Sequence, residues 1–239
     1  PKMCQFIEIR FKYLLIGILT INFIGCEIKE PVLNPDYTGQ IGQISDIQGN
    51  DYKTIGIGSQ IWMAENLKAT KLNNGTLIPQ VKSDSIWDFN PHIAFCWYNN
   101  DSIYNARIYG ALYNFYTVRT GLLCPIGWHI PQDSDWTILV DFLGGTEKAG
   151  GKLKDYYTPY WSEPNVCLAN NYGFSALPGG TRSIHLGRFE DIRKRGYWWT
   201  STSKNDFVPY SITMYNSNTH IYILESSRGN GFSVRCIKD

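Results

Sequence analysis

The chain has 239 residues, 43% of them hydrophobic and 18% charged, which describes a packed protein and excludes an intrinsically disordered one. Lys and Arg number 22 against 21 Asp and Glu, so there is no basic excess, and no basic stripe, to hold a nucleic acid. Aromatic residues make up 15%, with 16 Tyr and 8 Trp, a composition of large apolar area with polar tips that suits a rigid domain with adhesive surfaces.

The first segment is a candidate export signal. Lys2, Arg10 and Lys12 form a basic start, diluted by Glu8, and residues 13–25 read YLLIGILTINFIG. That apolar run is shorter than the roughly 20 residues needed to span a bilayer core, and it suits a signal-peptide core. It ends in Gly25-Cys26, which resembles the lipobox of bacterial lipoproteins. The resemblance implies cleavage before Cys26 and lipidation of its thiol, with residues 1–26 as the signal peptide. Pro1 is not an initiating residue, and Met3 is the expected start. Residues 27–43 carry Pro31, Pro35 and Gly39 without a clear period and read as a tether. Residues 44–239 are then one globular domain.

The domain opens on strand signals. A turn at Asp46–Asn50 leads into YKTIGI (52–57), and Gly58-Ser59 turns it into QIWM (60–63), the pattern of a hairpin. Asn73-Asn74-Gly75 is a further tight turn. YGALYNFYTV (109–118) places Ala111, Leu112, Phe115 and Val118 at helical spacing. A clearer helix spans 133–143: Asp133 is placed to cap it, Trp136, Leu139, Val140 and Leu143 form its apolar stripe, and Gly144-Gly145 ends it. Beyond it the chain reads as strand and loop: FSAL (174–177), YWWTS (197–201), and hairpin arms at 211–215 and 221–224. Phe232, Val234 and Cys236 alternate onto one side of the last strand. Adjacent Trp198 and Trp199 must point to opposite faces, one toward the core and the other nearer solvent.

Seven strings identify a family. IGSQIWMAENLKAT (57–70), CWYNND (96–101), YGALYNFYTV (109–118), LCPIGWHIPQDSDW (123–136), FSALPGGTR (174–182), GYWWTSTS (196–203) and GFSVRCIKD (231–239) resemble, in order, the Fibrobacter succinogenes major paralogous domain. Members are common among exported and lipid-anchored bacterial proteins. A more distant resemblance, carried by GWHIPQDSDW, the WWTS strand and the terminal GFSVRC, is to the formylglycine-generating, sulfatase-modifying enzymes. It implies an α+β domain of the C-type lectin-like kind, with two main helices, a twisted antiparallel sheet and long loops. The reactive cysteine pair of those enzymes has no counterpart here, so the fold is carried over and the activity is not. In lectin-like domains a bridge commonly ties the end of the first helix to the terminal strand, which implies a Cys124–Cys236 disulfide. Cys96 as partner of either residue, or four free thiols including Cys167, are the competing readings.

The dispersed His92, His129, His185 and His220 form no metal-ligand spacing, and His129 reads as a structural, hydrogen-bonded residue. Asn99-Asn100-Asp101 reads as a turn rather than a calcium loop. No cofactor or metal is expected. PYSITMYNSNTHIY (209–222) has the Tyr, Ser and Asn bias of adaptable binding surfaces. Tyr210, Tyr215, Asn216, Asn218, His220 and Tyr222 are the candidate partner face. The sequence therefore points to a monomeric, non-enzymatic binding lipoprotein of the cell envelope. It would be anchored to the outer membrane, exposed at the surface, and would take a glycan or a protein. An enzyme acting on surface polysaccharide or protein side chains, and a structural envelope component, are the alternatives.

Overall fold

The computed structural model describes residues 35–155, 159–167 and 172–239. The fold is α+β with antiparallel sheets. In chain order the strands are β1 (Ile41–Ser45), β2 (Asp51–Ile57), β3 (Gln60–Met63), β4 (Phe95–Cys96), β5 (Leu112–Tyr113) and β6 (Trp128–His129). They continue with β7 (Thr181–Arg182), β8 (Phe189–Glu190), β9 (Arg195–Lys204), β10 (Val208–Tyr215), β11 (Ile221–Glu225) and β12 (Ile237–Lys238). The helices are α1 (Asp84–Asp88), α2 (Tyr104–Tyr109), α3 (Phe115–Val118), α4 (Asp133–Phe142) and α5 (Thr146–Leu153). One sheet runs β1-β2-β3-β12-β6 and a second runs β11-β10-β9; β4-β5 and β7-β8 are two-stranded pairs.

The β2–β3 hairpin forms where the sequence places it. Gly58 takes φ 57°, a left-handed conformation that glycine adopts without penalty, and Thr54 to Ile57 pair with Met63 to Gln60. The segment read as tether ends earlier than residue 43. Tyr37 N–H donates to Gly58 O at 2.7 Å, Gly56 N–H donates to Gln40 O at 2.8 Å, and β1 pairs along β2 from Ile41. The sequence hides this because the approach depends on Gly56, where a Cβ would lie 2.8 Å from the Tyr37 Cβ and closer still to its carbonyl.

The helix expected over 109–118 is not one helix. α2 ends at Tyr109, Gly110 reverses the chain at φ 74°, Leu112–Tyr113 form β5, and only Phe115–Val118 coil again, capped by the Asn114 side chain. The apolar spacing is real but two short elements share it, and Tyr113 N–H is committed to Phe232 O at 2.8 Å rather than to a helical carbonyl. The expected Asn99–Asp101 turn is present: Asn99 and Asn100 sit at φ 52° and 57°, and the Asp101 carboxylate accepts from Ile103 and Tyr104 N–H, both at 2.9 Å, opening α2.

α4 matches its expected span. Trp136, Leu139, Val140 and Leu143 are buried, and Gly144 and Gly145 at φ 92° and 93° end it. The chain then enters α5, a stretch that the sequence reading leaves as loop. Gly150 and Gly151 inside it each weaken a helix by about 1 kcal/mol relative to Ala. Packing decides the outcome: Gly151 N–H donates to Thr219 O at 2.9 Å, and a Cβ on Gly150 would lie 2.4 Å from His220 O. The glycines let α5 lie directly on the backbone that leads into β11.

Both tryptophans of β9 are core residues, which corrects the reading that one is near solvent. Trp198 joins a cluster with Trp62, Trp136, Leu139 and Ile212, and Trp199 joins one with Tyr52, Phe115, Phe232 and Val234. The β9 sheet is thus covered on both faces around this pair. Cys124 and Cys236 form a disulfide, Cα–Cα 5.9 Å, within the Trp199 cluster. The bridge spans 112 residues, and a loop that long contributes about 4–5 kcal/mol in the chain-entropy account. Cys96 and Cys167 are free thiols.

Candidate functional site

The site is built on one buried amide. Asn66, in the turn after β3, accepts at Oδ1 from Arg235 Nε and from Trp198 Nε1, both at 2.9 Å. Its Nδ2 donates to Tyr109 O at 2.8 Å and to Ser233 Oγ at 3.3 Å. Two acceptor lone pairs and two donors are all that an amide has, and all are used. Arg235 is buried beneath it. Its guanidinium also donates to Phe174 O and, at 2.7 Å, to Ser175 O, and lies 4.3 Å from the Phe174 ring centroid. Burial pushes its pKa down to about 9, against the opposing fields of Glu65 and Asp155, so it is a cation at neutral pH.

Asn66 and Ser175 are also part of the wall of a cleft of about 460 Å³. Lys53 enters from β2, Glu65 and Lys68 from the segment after β3, Arg107 and Gly110 from the end of α2, and Asp155 and Tyr160 from beyond α5. Gly110 is required here: a Cβ would stand 2.7 Å from Leu67 O. A second depression of about 460 Å³ adjoins the first, sharing Lys68, Ala106 and Arg107 and adding Trp97, Thr70 and Ser102. Together they form one open groove. Trp97 is half-buried and held edge-on by Phe95 at 5.2 Å, and Tyr160 is held edge-on by Tyr109 at 5.8 Å. Both rings are therefore positioned before any ligand arrives.

The groove's charges are unevenly partnered. Glu65 and Asp155 lie in the field of Arg235. Lys53, Lys68 and Arg107 make no ion pair among the described residues, and the Lys68 ammonium rests 5.2 Å over the Tyr52 ring.

The six residues of the expected partner face do not form one face and do not line this groove. Tyr215, Asn216, Asn218, His220 and Tyr222 gather at the tip of the β10–β11 hairpin. Tyr210 lies at the other end, opposite Glu225, and an odd spacing from Tyr215 turns it to the opposite side of the strand. The tip is docked. Asn216 Nδ2 donates to Ser162 O at 3.1 Å and Glu163 O at 3.2 Å; Asn218 Nδ2 donates to Tyr222 Oη at 3.2 Å; His220 Nδ1 faces the same hydroxyl at 3.1 Å. Beneath them Lys154, fully buried, donates to Tyr215 O at 2.9 Å, Asn218 O at 2.8 Å and Val166 O. Burial pushes its pKa down to about 8. The Asn216, Asn218, His220 and Tyr222 side chains are thus engaged in internal hydrogen bonds while staying half-buried.

His129 is hydrogen-bonded, as its context implies, though not in an apolar pocket: Nδ1 faces Asp239 Oδ1 at 2.6 Å and Nε2 faces Asp135 Oδ2 at 3.3 Å, with the side chain 40% exposed. Cys26 lies outside the described residues. The groove residues were not singled out in the sequence, where those named here are scattered from Lys53 to Ser175. The local signal is that Glu65, Asn66, Lys68, Thr70, Trp97, Gly110 and Ser175 fall inside family strings.

A family model described as the Fibrobacter succinogenes major domain matches residues 55–238. The chain belongs to that family. No curated protein and no solved structure was found to match it. The match takes in Asn66, Trp198 and Arg235 and all the groove residues named above except Lys53, so in this member of the family the floor and most of the groove are family territory, while β1 lies outside.

Two outcomes follow from the buried cations. Arg235→Met removes one of the two donors to the Asn66 amide oxygen and a donor from each of the Phe174 and Ser175 carbonyls, and should cost about 3–5 kcal/mol in urea unfolding. A loss below about 1 kcal/mol would show that the network is not what holds these segments. For Lys154 the folded pKa is about 8 and the unfolded value 10.5, so between those pH values the unfolded chain binds a proton that the folded chain does not. The stability of the native protein should therefore rise relative to Lys154→Met as pH goes from 8 to 10; a flat difference contradicts it.

Proposed function

We propose that this chain is an exported binding protein of the bacterial cell envelope, lipid-anchored through Cys26 to the outer membrane, displayed at the surface and acting as a monomer. We place its ligand, a glycan or a protein, in the groove around Lys68, Trp97, Arg107 and Tyr160. One observation carries the placement: two aromatic rings fixed by core neighbours line the same open groove as cations that form no ion pair among the described residues. Rings already held in place lose little side-chain entropy when a ligand covers them. The Cys124–Cys236 bridge supports the more distant C-type lectin-like reading, since it ties the segment after α3 to the terminal residues.

The test is a glycan array and an envelope-protein panel, screened with the full chain. For any ligand found, Trp97→Ala should cost about 2 kcal/mol or more in binding, measured well below the variant's own unfolding midpoint. A ligand indifferent to both Trp97→Ala and Tyr160→Ala would show that the groove is not the site. Anchoring is tested separately: Cys26→Ala should move the protein from the detergent phase to the aqueous phase, or leave the leader uncleaved. Unaltered detergent partitioning of a cleaved variant would remove the anchor from the proposal.

A further inference from the structure

We infer that the groove selects an acidic glycan, one whose sugar rings carry carboxylate or sulfate groups; the inference rests on the groove being the binding site. The groove and the guanidinium behind it hold four cations, Lys53, Lys68, Arg107 and Arg235, against the two carboxylates Glu65 and Asp155. Both carboxylates act on Arg235, which is sealed under Asn66 and cannot reach a ligand. The cations that face the groove form no ion pair among the described residues, and Asp51, whose field reaches Lys68, stands outside the groove lining. An anionic ligand supplies the missing charge and gains from a field set up before it binds.

Backbone pairing separates an acidic peptide from a glycan. An extended peptide binds largely by pairing its backbone with free N–H and C=O groups of a host strand. Here three N–H groups at or beside the groove wall are taken by side chains: Gln48 Oε1 accepts from Thr70 at 2.7 Å and Lys71 at 3.0 Å, and Glu65 Oε1 accepts from Lys53 at 3.3 Å. What the groove offers instead is side chains: aromatic area at Trp97 and Tyr160, and cations between and beside them. A pyranose ring presents an apolar face to the first and its acid group to the second. The two adjoining depressions give such a polymer room to lie along the groove.

The experiment titrates the full chain with four probes: polygalacturonate, dextran sulfate, methyl-esterified polygalacturonate and polyglutamate. Expected are saturable binding of at least one acidic polysaccharide and affinity that falls as salt is added. Lys68→Gln and Arg107→Gln should each lose about twofold to fivefold, the range for exposed charge pairs. The methyl ester, with the same sugar backbone and no charge, should bind about tenfold weaker or worse. Three results overturn the inference: polyglutamate binding as tightly with the same variant pattern, an ester binding as tightly as the acid, or silence from both acidic polysaccharides. Ester binding that Trp97→Ala still abolishes removes the acidic selectivity and leaves the groove as the binding site. Binding indifferent to Trp97 and Tyr160 removes the groove itself.

Discussion

The guanidinium of Arg235 is the constraint around which the rest of the domain is arranged. A charge withdrawn from water costs several kcal/mol unless its donors are met, and here they are met by atoms far apart in the chain. Asn66 is 169 residues away and Phe174 is 61. The charge cannot be buried until the turn after β3, the segment around Phe174 and the terminal segment are all in place, and Trp198 Nε1 shares the same Asn66 oxygen. Such a network is all-or-none by construction. Arg182 repeats the device elsewhere, lying 4.7 Å from the ring centroids of both Trp87 and Phe189. It donates to Gly187 O at 2.9 Å, Val81 O at 2.6 Å and the Asp84 carboxylate at 2.8 Å. Loops with little regular structure are fixed by these planar forks, which meet several acceptors at once in a fixed geometry.

With those loops fixed, β9 can be buried on both faces. Trp198 and Trp199 fill two clusters, and the disulfide closes the second one against the terminal residues. Strand pairing runs out before the clusters do. β12 spans only Ile237–Lys238, yet Met63 N–H reaches Cys236 O at 3.0 Å and Leu67 N–H reaches Val234 O at 2.8 Å. The irregular backbone between is therefore paired along its length, as burial demands.

The sequence is legible where structure is local. Gly58 announces the β2–β3 turn, Gly144-Gly145 the end of α4, and the alternation of Phe232, Val234 and Cys236 a single buried side. It misleads where tertiary packing overrides local preference. Gly150 and Gly151 read as a loop because their reason is His220 O, 70 positions away. Residues 109–118 read as a helix because α3 and β5 happen to space their apolar residues like one. One of Trp198 and Trp199 reads as near solvent because nothing in their neighbourhood says that the second face is also covered. Arg182 and Arg235 look like ordinary surface cations, since no short pattern distinguishes a guanidinium that will meet carbonyls from one that will meet water. At the hairpin tip Asn216 and Asn218 look unpartnered in the sequence, and their partners Ser162, Glu163 and Lys154 are supplied from elsewhere in the chain.

The same separation governs the groove. Asn66, Tyr109, Phe174, Trp198 and Arg235 all fall in strings that carry the family resemblance, and each is committed to a buried hydrogen bond or ring contact. Lys68 and Trp97 fall in those strings too, but face the groove. Lys53, Arg107 and Tyr160 lie outside every one of them. Lys53 and Arg107 are exposed, and neither side chain donates a hydrogen bond among the described residues, so exchanging either leaves no buried group unmet. The scaffold thus imposes one part of the groove's electrostatics, by holding Glu65 and Asp155 against a buried cation, and leaves the other part to positions that the fold does not need. A change of sign at Lys53 and Arg107 would alter what the groove accepts without disturbing the network beneath it. This is the physical sense in which one fold can be kept while its ligand changes.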